Sequence, residues 1–186
     1  MKENMNLSGN VVARLIKGDW KDGKWVPLGI ELEFVGKNIV TDGGDTFYAT
    51  KATTKTVPKN FASATAGVRL GYGTTGGGDK GDTDVNTKCT AAGVGYYNRL
   101  SSTSTYPYPQ TNDTEASNSG ATTDCVTWYY YWYASQGSAT KINEGAIVDS
   151  ATNPTAALCH WDFGTTFDKT TSDTLELFIN HTLLGV

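Results

Sequence analysis

The chain has 186 residues, 38% of them hydrophobic and 18% charged, with a formal net charge of −4. That length suits one domain with its own core, and the supply of Thr and aromatics beside few helix formers argues against a helical bundle. The nearest thing to a basic cluster is Lys51, Lys55 and Lys59, too sparse for a nucleic-acid backbone, and no apolar run approaches the ~20 residues that span a bilayer.

The first strand signal lies at residues 10–16, where Val11, Ala13 and Leu15 alternate with their neighbours. A turn follows around Asp22-Gly23, and a second strand places Leu28, Ile30, Leu32 and Phe34 on one face with Glu31 and Glu33 on the other. Together these predict an antiparallel N-terminal hairpin over 10–35 with the two glutamates in water. Asp42 or Asp45 is placed to cap a short helix over 46–52, the one helix the pattern offers. A strand is predicted through 66–72, with Val68, Leu70 and Tyr72 sharing a face.

Residues 73–90 form a long Gly- and Asp-rich loop. It lacks the spacing of a phosphate-binding loop. Asp79, Asp82 and Asp84 supply hard oxygens at short spacing, a weak calcium candidate that lacks the further oxygens and distal carboxylate of a calcium loop. The expectation is therefore an exposed loop with no metal. After a short strand candidate at 96–100, residues 101–124 are a second long polar loop, containing Tyr106 and Tyr108.

Residues 126–133 are the most unusual stretch. Alternation puts Val126, Trp128, Tyr130 and Trp132 on one face and Thr127, Tyr129, Tyr131 and Tyr133 on the other, so both faces are aromatic. This reads first as a packing strand. The second face must then be covered, which makes Tyr129, Tyr131 and Tyr133, with Tyr106 and Tyr108, interface candidates. Further strands are predicted at 142–148, 157–163 and 173–184. In the last of these Leu175, Leu177, Ile179 and Leu183 share a face interrupted by His181. About eight strands separated by turn signals indicate a single mainly β domain, an antiparallel β-sandwich or jelly-roll-like fold with at most one short helix.

No catalytic constellation is legible. His160 and Asp162 share a strand face, but no nucleophile is placed beside them, and neither a G-x-S-x-G elbow nor an H-E-x-x-H motif is present. The expectation is a non-enzyme without cofactors. The three cysteines, Cys89, Cys125 and Cys159, are widely spaced and read as free thiols, with one disulfide formed under oxidising conditions as the alternative. No apolar signal segment follows Met1, so synthesis in a cytoplasm is expected.

Several segments in order resemble small structural proteins encoded among the head and tail genes of tailed bacteriophages. They are Lys37-Asn38-Ile39-Val40-Thr41-Asp42-Gly43-Gly44, then Val68-Arg69-Leu70-Gly71-Tyr72-Gly73-Thr74 with the Asp/Thr-rich loop after it. Thr127-Trp128-Tyr129-Tyr130-Tyr131-Trp132 and Ile142-Asn143-Glu144-Gly145-Ala146-Ile147 follow, and the run from Phe167 to Leu177 closes the series. The resemblance covers most of residues 10–184. The 101–124 loop and the aromatic strand depart from it. It implies a virion component made in a bacterial host, with no catalytic residues to carry over. The role it implies is a capsid decoration or cement protein, in symmetric copies (a trimer among the options), bound to itself and to capsid or tail subunits. A tail, neck or fibre-attachment part is the alternative within that class. A carbohydrate-binding module using Trp128, Tyr130 and Trp132, or their opposite-face neighbours, is the alternative outside it.

Overall fold

A computed structural model describes residues 8–53, 55–63, 65–73, 78–89, 108–110, 125–136, 138–150 and 153–182. It contains β1 (Ser8–Lys21), β2 (Lys24–Val40), α1 (Asp42–Ala52), β3 (Gly67–Gly71), β4 (Tyr108–Gln110), β5 (Cys125–Trp132), β6 (Ala139–Val148), β7 (Ala157–Lys169) and β8 (Asp173–Thr182). All neighbouring strands are antiparallel, in one sheet of order β3-β6-β7-β2-β1-β8-β5-β4. The domain is mainly β with one short helix, as its composition predicts. The helix is not long or apolar enough to cross a membrane.

Alternation decides what each strand buries. Val11, Ala13 and Leu15 of β1 join Trp128, Tyr130 and Trp132 of β5 and Leu175, Leu177 and Ile179 of β8. The same cluster takes in Ile142 and Ile147 of β6, Cys159, Trp161 and Phe163 of β7, and Val68 and Leu70 of β3. Strands from both wings of the sheet share this one core, because the sheet curls into a half-barrel. Helix α1 closes the open side, with the Phe47 ring 5.5 Å from Phe61 and 6.1 Å from Trp128. Gly145 is required where the Trp161 ring lies against its backbone, since a Cβ there would collide with the indole.

Several expectations need correction. The helix starts at Asp42, earlier than predicted, and its N-cap is Thr41, whose Oγ1 accepts from Gly44 N–H at 3.3 Å; Asp42 and Asp45 instead lie in the first turn, where carboxylates favour the dipole. In the N-terminal hairpin, the Asp22-Gly23 turn forms as read, both residues having positive φ (52° and 74°). The strand after it does not keep strict alternation. Bulges occur where β1 passes from Leu15 to Ile16 and from Lys17 to Gly18, leaving Glu31 and Leu28 as the extra residues on β2. Leu32 and Phe34 pack against the core, but Leu28 and Ile30 are 66% and 55% exposed. Strand β7 runs on to Lys169, well beyond the predicted 163. Strand β4 pairs with β5 inside the segment read as a continuous loop. The strand candidate at 96–100 lies outside the described residues.

Candidate functional site

Three polar or aromatic arrangements stand out. The first is on the convex face of the sheet. Cross-strand register sets Val35, Val12, Phe178 and Tyr129 in one row over β2-β1-β8-β5, and Glu33, Arg14, Glu176 and Tyr131 in the next. Arg14 Nε donates to Glu33 Oε1 at 3.1 Å, and Tyr129 Oη donates to Glu176 Oε1 at 3.3 Å. Ring centroids run 4.7 Å from Phe178 to Tyr129, 6.4 Å from Tyr129 to Tyr131 and 4.7 Å from Tyr131 to Tyr133. The last pair meets edge to face at 70°, so the rings form a stepped ladder and not a flat platform. Val35 and Tyr133, at its two ends, are 68% and 61% exposed. Tyr129, Tyr131 and Tyr133 are thus brought together on the face opposite the buried Trp128, Tyr130 and Trp132. Tyr106 lies outside the described residues, and Tyr108 is described only through its backbone pairing with Thr127.

The second arrangement centres on His160, on the outer face of β7. Its Nδ1 is 2.6 Å from Asp82 Oδ2 and its Nε2 is 2.9 Å from Glu144 Oε2. Glu144 also accepts from the Asn86 amide N–H at 3.1 Å, the Asn86 side chain at 3.0 Å and the Thr87 N–H at 3.2 Å. Burial opposes charge on His160, but the hydrogen bonds to Glu144 and Asp82 outweigh it and raise its pKa above 6.5. Burial likewise opposes charge on Glu144, yet the bonds from His160 and the two backbone amides bring its pKa below the usual carboxylate value. Beside them Arg69 Nη1 lies 3.1 Å from Asp84 Oδ2, and Val85 packs with Ala146, Val148 and Ala157.

Residues 78–89 are therefore a strap spread over β3, β6 and β7, and not the wholly exposed loop the sequence suggests. Two of the three carboxylates read as calcium donors are engaged elsewhere: Asp82 on His160 and on Asp79 N–H, and Asp84 on Arg69 and on Val85 N–H. Among the described residues no group of three or more His, Cys, Asp or Glu could hold a metal ion. His160 is served by Asp82 and Glu144, whereas Asp162, the partner its spacing suggests, accepts from Gly164 N–H at 2.6 Å. The available signal was Glu144 and Ala146, alternate residues of a strand that would need a neighbour; Ala146 is paired with His160.

The third arrangement lies inside the core and has no counterpart in the sequence reading. Trp128 Nε1 donates to Tyr48 Oη at 2.9 Å, Tyr48 Oη is 2.7 Å from His181 Nδ1, and His181 Nε2 is 3.1 Å from Asn38 Nδ2. Among the described residues no counter-charge accompanies this histidine, and burial lowers its pKa to about 3. It is held as a neutral imidazole between Tyr48 and Asn38. The three cysteines are free and buried; burial raises the Cys89 thiol to about 11 and Cys159 further still, which removes thiolate reactivity.

Among the described residues, then, the domain carries two buried histidine clusters and an aromatic ladder on its convex face, with Tyr133 61% exposed. Comparison of the chain with family models, with curated proteins and with solved structures found no match.

Proposed function

We propose that this chain is a non-enzymatic structural protein of a tailed-bacteriophage virion, acting as a capsid decoration or cement protein that stabilises the particle through subunit contacts. The observation that carries this reading is the ladder Phe178–Tyr129–Tyr131–Tyr133, flanked by Val35 and by the Glu33–Arg14–Glu176 row. Tyrosines with an apolar body and a polar tip, next to an arginine and carboxylates, are the composition of a protein-binding surface. Their stepped arrangement, tilted at 35° and 37° and edge to face at 70°, suits an interlocking protein partner better than the flat face of a sugar ring. The resemblance in segment order to phage head and tail proteins supplies the biological setting, and partners would be capsid or tail subunits and further copies of the chain.

The test is to purify the native particle, locate the chain within it, and compare particle binding by wild type, Tyr131→Ala and Tyr133→Ala. Truncating a central anchor is expected to cost about 2 kcal/mol of binding, roughly a 30-fold loss, with the thermal melt of the free protein little changed. Absence of the chain from the particle would end this reading. Saturable glycan binding that is lost in Tyr129→Ala or Tyr131→Ala, with particle binding intact, would replace it with a carbohydrate-binding module.

A further inference from the structure

We propose that Asp82–His160–Glu144 is a latch, closed while His160 carries both ring protons, that fixes the strap of residues 78–84 to the outer face of β6 and β7 and releases it when one of those protons is removed. The geometry suits the doubly protonated ring. Two carboxylate oxygens, at 2.6 and 2.9 Å, face the two nitrogens of one imidazole, and a ring N–H toward each satisfies both contacts. Neutral imidazole has only one N–H, so deprotonation turns one close contact into a lone pair against a carboxylate.

The two sides of the latch are unequal. Glu144 is 3% exposed and is held independently by Asn86 and Thr87. Asp82 sits on a more open segment, tied elsewhere by Asp84 to Arg69 at 3.1 Å, by Lys80 to Asp45 at 2.7 Å and by the Asp42 N–H bond to Lys80 O at 2.7 Å, and bonded within itself by Asp79 N–H to Asp82 Oδ2 and Asp82 N–H to Asp79 O. Asp82 is therefore the partner that leaves. Gly78 lies against the His160 ring, close enough that a Cβ would reach the imidazole, so the strap rests directly on the group that titrates.

Charged groups around the cluster are Asp82 and Asp84 from the strap, Glu144 from β6, Arg69 from β3, and Lys88, which acts on Asp84. Arg69 answers Asp84, leaving His160 to balance Asp82 and Glu144. Beyond Asp84 the chain is anchored by Val85, by Cys89 N–H to Leu70 O at 3.0 Å and by Tyr72 N–H to Thr87 O at 2.8 Å. Opening is thus confined to the first half of the strap, uncovering His160 while the second half stays in place.

The sign follows from the raised pKa of His160. The closed latch is fully stabilising below 6.5 and is lost as pH rises through the folded value. The test is amide hydrogen exchange, corrected for intrinsic rates, together with NMR titration of the His160 ring in the full chain. Protection of Asp79 and Asp42 is expected to fall about tenfold or more as His160 deprotonates, with Cys89 and Tyr72 unaffected. Asp82→Asn supplies an amide N–H that can donate to the bare Nδ1, so this variant should lose the alkaline opening. A His160 that titrates at or below 6.5, strap protection independent of pH in the wild type, or the same alkaline opening in Asp82→Asn would each overturn the proposal.

Discussion

Acid should destabilise this protein earlier than its carboxylates alone would, because of His181. In the unfolded chain this imidazole takes up a proton near pH 6.5, while in the fold burial holds it neutral down to about pH 3. Between those values the unfolded state binds one more proton than the native state, so stability rises with pH and falls as acid is added. Each pH unit of that window is worth about 1.4 kcal/mol, so moving from pH 6.5 to roughly pH 5 should remove about 2 kcal/mol. This is a large share of the 5–15 kcal/mol typical of a domain. His160 contributes the opposite slope above 6.5. Urea unfolding at a series of pH values reads this directly as a falling midpoint with unchanged m. His181→Gln, which can keep hydrogen bonds to Tyr48 and Asn38 but cannot titrate, should be less stable at neutral pH and lose the slope between 6.5 and 5. Flat wild-type stability across that interval, or an unchanged slope in the variant, would refute the reasoning.

Two further outcomes are expected. Trp128→Ala should cost about 3–5 kcal/mol in chemical denaturation, because it empties the centre of the core and removes the donor to Tyr48; Trp128→Phe should cost clearly less. Replacing Cys89, Cys125 and Cys159 together with Ala should leave a folded chain whose melting temperature is insensitive to reductant, since all three thiols are buried and unpaired with one another.

The β class and the inner face of the aromatic strand were legible because alternation is a local signal: Trp128, Tyr130 and Trp132 had to share a side, and they are buried. The fate of Leu28 and Ile30 was not legible. They continue the pattern of Leu32 and Phe34, but two bulges and the reach of the hairpin beyond the core leave them in solvent. The His160 cluster was hidden for a different reason. Its members are separated by 78 and 16 residues and meet only after β6 pairs with β7 and the strap folds over them. His181 read as an interruption in an apolar face, because the groups that accommodate it come from β2, α1 and β5.

The hairpin arm bears on how the sheet ends. Strand β2 is paired to β7 only through Asn38, Ile39 and Val40, so along the rest of its length β1 is its only neighbour in the described sheet. An open edge carrying Val26, Leu28 and Ile30 would ordinarily invite another chain to add a strand and seed a fibre. Here Pro27 withholds an N–H, and the bulges at Leu28 and Glu31 break the even spacing that a second backbone would need. A backbone interrupted in this way resists the addition of another strand even where its apolar side chains stand in solvent.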